Sequence, residues 1–88
     1  MKRTFTFFSD PGHGWLEVPM ALVENLKIAN KISRFSFKNK SRDAFQMAYL
    51  EGDCDARVFT EAYGEDNFEL IFIDSDERSG IRDLPRFK

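Results

Sequence analysis

At 88 residues the chain has room for one domain and one core, and 42% of it is apolar, with ten phenylalanines supplying much of that content. A single cysteine, Cys54, excludes an internal disulfide and a multi-cysteine zinc site, and no apolar run reaches the length of a membrane span. The formal net charge of −2 divides unevenly: residues 1–43 carry eight Lys/Arg and four Asp/Glu (+4), and residues 44–88 carry five and eleven (−6), which suits a charged partner surface, head-to-tail self-association or pairing across the fold.

Thr4-Phe5-Thr6-Phe7-Phe8 alternates at period two and predicts a first strand. Asp10-Pro11-Gly12-His13-Gly14 is the strongest turn signal, since proline presets φ and glycine permits positive φ. Trp15-Leu16-Glu17-Val18 follows as a second strand, giving a hairpin. Pro19 suits the first position of a helix, and Leu22, Leu26 and Ala29 continue it at helical spacing to about Asn30.

Ser33 to Lys38 alternates again, with Phe35 and Phe37 on the core side and Arg34, Ser36 and Lys38 outside. Residues 39–43 read as a polar loop, after which Phe45, Met47 and Tyr49 line one side of a fourth strand. Asp53 or Asp55 is placed to cap a second helix, with Val58, Phe59, Ala62 and Tyr63 on its apolar side and Gly64 as its stop. Phe68 to Ile73 is apolar except for Glu69 and reads as an interior strand. Residues 75–88 form a basic tail on a domain spanning 1–74.

The predicted order is β-β-α-β-β-α-β, a two-layer α+β domain with a mainly antiparallel sheet of about five strands and two helices packed on it. Trp15-Leu16-Glu17 ahead of the first helix echoes Tyr49-Leu50-Glu51 ahead of the second, a match too short to establish duplication.

Asp10-Pro11-Gly12-His13-Gly14-Trp15-Leu16-Glu17-Val18, with the helix that follows it, resembles the opening of a group of small uncharacterised proteins encoded by bacteriophages, prophages and other mobile elements. Tyr49-Leu50-Glu51-Gly52-Asp53-Cys54-Asp55 is similar to that group's second signature, and the basic, aromatic-ended tail through Ser79-Gly80-Ile81-Arg82 and Phe87 to its third. The polar stretch from Lys38 to Asp43 is longer here than in the group. The resemblance implies a mobile-element origin, a compact α+β fold and a host-directed accessory role. It transfers no catalytic residue.

His13 is the sole histidine and sits in the turn, without the companions at fixed spacing that a metal site or a general base requires, so its expected part is structural, beside Pro11, Gly12, Gly14 and Trp15. The glycines lack the Lys-Ser/Thr ending of a phosphate loop, and no EF-hand spacing occurs. Cys54 reads as a buried packing residue. The run from Asn25 to Arg42 has no acidic residue and offers Lys31, Arg34, Lys38, Lys40 and Arg42 as a basic contact surface. Arg78, Arg82, Arg86 and Phe87 offer a second, in which an aromatic anchor is flanked by arginines.

The expected function is a non-catalytic accessory protein that binds a host protein in the cytoplasm, inhibiting a defence or regulatory factor, with no cofactor, no metal and no membrane partner. A homodimer is compatible with the charge division. The alternative is a nucleic-acid or nucleotide-binding module using residues 27–42, through phosphate contacts and base stacking. A small enzyme built on His13 ranks third. Aromatic residues are expected in the interior, leaving the charged exterior and the C-terminal arm for contact.

Overall fold

A computed structural model describes residues 2–39 and 45–87. The elements are β1 (Arg3–Ser9), β2 (Gly14–Pro19), α1 (Met20–Asn25), β3 (Phe37–Lys38), β4 (Met47–Glu51), α2 (Asp55–Tyr63) and β5 (Phe68–Asp74), with short 3-10 turns at Ala29–Lys31, Glu65–Asn67 and Gly80–Asp83. The fold is α+β, two helices on a five-stranded sheet in the order β3-β4-β2-β1-β5. Three neighbouring pairs are antiparallel, but β5 runs parallel to β1, so the sheet is mixed.

Period two in the strands divides the sheet into two faces. Phe5, Leu16, Val18, Ala48 and Leu50 lie on one face and meet Val23 of α1 and Ala56 and Phe59 of α2, all almost fully buried. Phe5 sits edge-on to both Phe59 and Tyr63, with ring centroids 5.4 Å apart in each pair, a geometry that aligns the positive edge of one ring with the negative face of another. At the hairpin, a Cβ on Gly14 would run into the ring of Phe7, so only glycine lets β1 and β2 close there.

The helix predicted to reach Asn30 stops at Asn25. Lys27 takes φ 59°, and the reversal turns Ile28 and Ile32 into the core, at 4% and 0% exposure. Burying two isoleucines outweighs the few hydrogen bonds that another helical turn would add. The third strand is likewise shorter than its alternation, and its inside and outside are partly exchanged: Ser36 is fully buried while Phe35 is 58% exposed. On β4 the core residues are Ala48 and Leu50, so Met47 and Tyr49 face the other side, and Phe45 precedes the strand exposed.

The reason for the Ser36 inversion is Asp55. Its buried carboxylate, through Oδ2, accepts from the Ser33 amide (3.0 Å), the Ser33 hydroxyl (2.6 Å) and the Ser36 hydroxyl (2.5 Å), and the Ser36 oxygen in turn accepts from the Glu51 amide at 2.9 Å. Asp55 therefore crosslinks the segment before β3 to α2 and does not cap the helix. Nor does Asp53: the amides of Asp53 and Cys54 donate instead to the Glu51 side chain. Gly64 ends α2 at φ 99°.

The last strand departs furthest from its sequence reading. Its apolar run predicts an interior position, yet β5 lies at the sheet edge, and Ile71, Phe72 and Ile73 are 52%, 66% and 48% exposed. Parallel pairing with β1 places it outside the hairpin, where Phe68 and Leu70 still pack against the core beside Tyr63 of α2 but Ile71 to Ile73 extend past it.

Two substitutions test this account of the core. Phe59→Ala should lower unfolding free energy by about 3–5 kcal/mol through cavity formation. Asp55→Ala, which strands two hydroxyls and an amide, should cost about 3 kcal/mol in urea unfolding, with Asp55→Asn recovering part of that loss.

Candidate functional site

The face of the sheet away from the helices carries two cross-strand rows read from the pairing register. One runs Phe37, Tyr49, Glu17, Thr6, Ile71, and the other Glu51, Trp15, Phe8, Ile73. Burial, with the Glu17 carboxylate beside it, pushes the Tyr49 hydroxyl up to about 12. The C-terminal segment crosses one end of this face as a strap. It leaves β5 beside β1, where the Ser75 amide donates to the Ser9 carbonyl at 2.9 Å, and finishes at β3 on the opposite edge.

Asp10 fixes the middle of the strap. Its Oδ1 accepts from the Gly12 and His13 amides at 3.0 Å each and from Arg82 Nη2 at 2.8 Å, while Oδ2 accepts from the Ser79 amide at 2.9 Å and Arg82 Nε at 2.7 Å. The guanidinium of Arg82 and the Ser79 amide, joined by the Gly12 and His13 amides, hold this carboxyl well below the usual aspartate range against the opposing effect of burial, and the pair holds Arg82 above its own. Arg82 also lies over the Trp15 ring, 5.5 Å from its centroid.

The end of the strap completes the β3 edge. The Lys38 amide donates to the Pro85 carbonyl at 3.0 Å and the Phe87 amide to the Ser36 carbonyl at 2.8 Å, around an antiparallel bridge between Phe37 and Arg86. Arg86 lies over the Phe37 ring at 4.8 Å and donates to the Arg34 carbonyl, and Phe87 packs against the core.

Between the strap and the sheet is a cleft of about 520 Å³. Trp15 and Phe37 contribute its aromatic lining, and Arg78, Arg82 and Arg86 come from the strap; Glu51, Asp53 and Cys54 lie at the β4–α2 connection, with His13 and Phe35 completing it. Its volume suits a small organic ligand, for which sites of about 300–1,000 Å³ are usual. Its charge is nearly balanced. Arg82 is paired with Asp10 and Arg78 with Asp83, which leaves Arg86 against Glu51 and Asp53. Among the described residues the Trp15 indole N–H is the buried side-chain polar atom without a partner.

The structure thus brings part of the predicted contact set together and scatters the rest. Arg78, Arg82 and Arg86 meet His13 and Trp15 around the cleft, whereas Lys31 stands exposed in the 3-10 turn and Lys38 is half-buried in β3. Arg34 is exposed, with its guanidinium 5.7 Å from the Phe35 centroid. Lys40 and Arg42 lie outside the described residues, as does most of the predicted polar loop. Pro11, Gly12 and His13 form the exposed hairpin loop, and the His13 ring leans on Trp15 with centroids 6.0 Å apart. Cys54 is exposed rather than packed. Sequence reasoning missed three features: Asp10 as an anchor, Asp55 as a buried crosslink, and the exposure of β5. Only the last left a legible trace, in the acidic residues on both sides of the strand.

The lowered Asp10 carboxyl sets a pH dependence whose sign is fixed. An aspartate in the unfolded chain takes its proton near about pH 3.9, above the folded value, so the stabilisation is complete above that pH and is lost as pH falls below it towards the lowered folded value. The urea midpoint of the wild-type chain should therefore fall below about pH 4, and Asp10→Asn should start lower at neutral pH and show a shallower acid slope. Arg82→Ala should red-shift Trp15 emission by uncovering the indole.

No helix among the described residues is long and apolar enough to cross a membrane. Comparison of the chain with protein-family models, with curated proteins and with solved structures yields no match.

Proposed function

We propose that this chain is a non-catalytic accessory protein of a bacteriophage or other mobile element, and that it binds a host protein through β5, disabling a defence or regulatory factor in the cytoplasm. The observation that carries this reading is the open edge of β5. Among the described residues the strand offers seven residues of backbone paired on one side only, with Ile71, Phe72 and Ile73 largely exposed. A bare apolar edge invites pairing with another chain, and soluble monomers blunt such edges with charge, proline or a covering segment. The strap covers the opposite edge, whereas no described segment covers β5.

A second reading is favoured by one observation. Phe35, expected in the core, is exposed beside Arg34 at the cleft, an arrangement on which a base can stack while arginine meets a phosphate. This supports a nucleotide or single-stranded nucleic-acid binder, with Lys31, Arg34 and Lys38 as its cations. The acidic second half of the chain opposes a long polyanion, which ranks this reading below the first.

Immobilised chain should retain a discrete protein from host lysate, and Ile71→Lys should abolish that retention while changing unfolding free energy by no more than about 1 kcal/mol. Absence of any retained protein, together with salt-sensitive oligonucleotide binding that Phe35→Ala removes, would transfer support to the second reading.

A further inference from the structure

The backbone of β5 pairs with β1 in parallel register from Arg3 opposite Phe68 to Ser9 opposite Asp74, and its outer side has no partner strand among the described residues. Side chains alternate across the sheet, so Ile71 and Ile73 stand on the open face and Phe72 on the helix side. A strand laid against this edge would set its own side chains beside apolar groups on both faces, and main-chain hydrogen bonds would supply affinity whatever those side chains are.

Charge narrows the choice of occupant. Between Arg57 and Arg78 the sequence has no Lys or Arg and seven acidic residues. Glu65 and Asp66 precede β5, and Asp74, Asp76 and Glu77 close and follow it; all five are exposed, and no ion pair engages them among the described residues. The edge is an apolar stripe with negative charge at each end. A second copy fits it badly, because antiparallel pairing about Ile71 would bring Glu65 and Asp66 of one chain opposite Glu77 and Asp76 of the other. The basic strap is committed to the β3 edge, and a nucleic-acid backbone carries the wrong sign.

We infer that β5 accepts an extended segment of a partner protein, apolar at alternating positions and carrying Lys or Arg at both ends, which adds to the sheet as a sixth strand. The inference rests on the reading of this chain as a protein-binding module and specifies the partner's chemistry. The acidic residues serve two ends at once. They discourage self-pairing of an exposed hydrophobic strand, and they attract and align a segment of opposite charge.

Fluorescent peptides test it directly on the whole chain. The probes are Lys-Lys-Val-Thr-Val-Thr-Val-Lys-Lys, its counterpart with Glu at the four flanking positions, and the basic peptide with proline at its centre, which removes a strand-pairing N–H. The basic peptide should bind at least about tenfold tighter than the acidic one at low salt, with the gap closing as salt rises, and the proline form should fail. Amide exchange should slow along β5, and Glu65→Lys combined with Asp76→Lys, which leaves Asp66, Asp74 and Glu77 in place, should narrow the preference for the basic flanks. Equal binding of both flanks, protection located at the cleft, or β5 protection that appears with chain concentration alone would each overturn the inference. If the wild-type chain still captures a host protein and Ile71→Lys does not disturb that capture, the inference and the assignment of binding to β5 both fall, and only protein binding through another surface stands. If nothing is captured at all, the broader reading falls with it.

Discussion

The carboxylate of Asp10 joins two parts of the chain that no local rule connects. It closes the β1–β2 hairpin through the Gly12 and His13 amides and holds the C-terminal strap through Ser79 and Arg82. With its side chain wholly removed from solvent, an unmatched charge there would be costly, and five donated hydrogen bonds offset that cost. The part of the open face under the strap depends on this anchor. Once the strap is held at Asp10, Arg82 covers Trp15, Arg86 reaches Phe37 and Phe87 meets the core, and the cleft exists because the strap stands over the sheet.

A second buried carboxylate does comparable work on the other layer. Asp55 draws Ser33 and Ser36 inward, and this rotation sends Phe35 out to solvent. The chain therefore uses polar crosslinks, one on each face of the sheet, to set segments that are too short to be positioned by regular structure. β3 has two residues, and its ladder with β4 spans only those positions. Its place is fixed from both sides, by Asp55 through the preceding serines and by the strap along its edge.

Much of the architecture was legible in the sequence because it rests on short-range signals. Alternation marked β1 and β2, the Asp-Pro-Gly-His-Gly turn joined them, and Gly64 marked the end of α2, each through a preference that operates within a few residues. The failures have one cause, competition from distant contacts. Lys27 breaks a well-patterned helix because Ile28 and Ile32 gain more by burial. Ser36 turns inward against the alternation of its own segment because Asp55 lies opposite, 19 residues further along the chain. β5 has the composition of a central strand, yet the order of strands, a property of the whole topology, puts it at the edge. The expectation that the aromatic residues fill the interior fails for the same reason at Phe35, Phe45 and Phe72. Of the candidate site, the strap arginines and the turn around His13 were visible as residue types, whereas their convergence depends on the contact between Asp10 and Arg82, 72 residues apart.

The strap's place beside β3 has a consequence for stoichiometry. A sheet can polymerise only where both of its borders accept new strands, since each added molecule must present a fresh border to the next. Among the described residues the strap pairs along one border, so a partner strand received at β5 would end growth after one addition and give a closed one-to-one complex rather than a fibre.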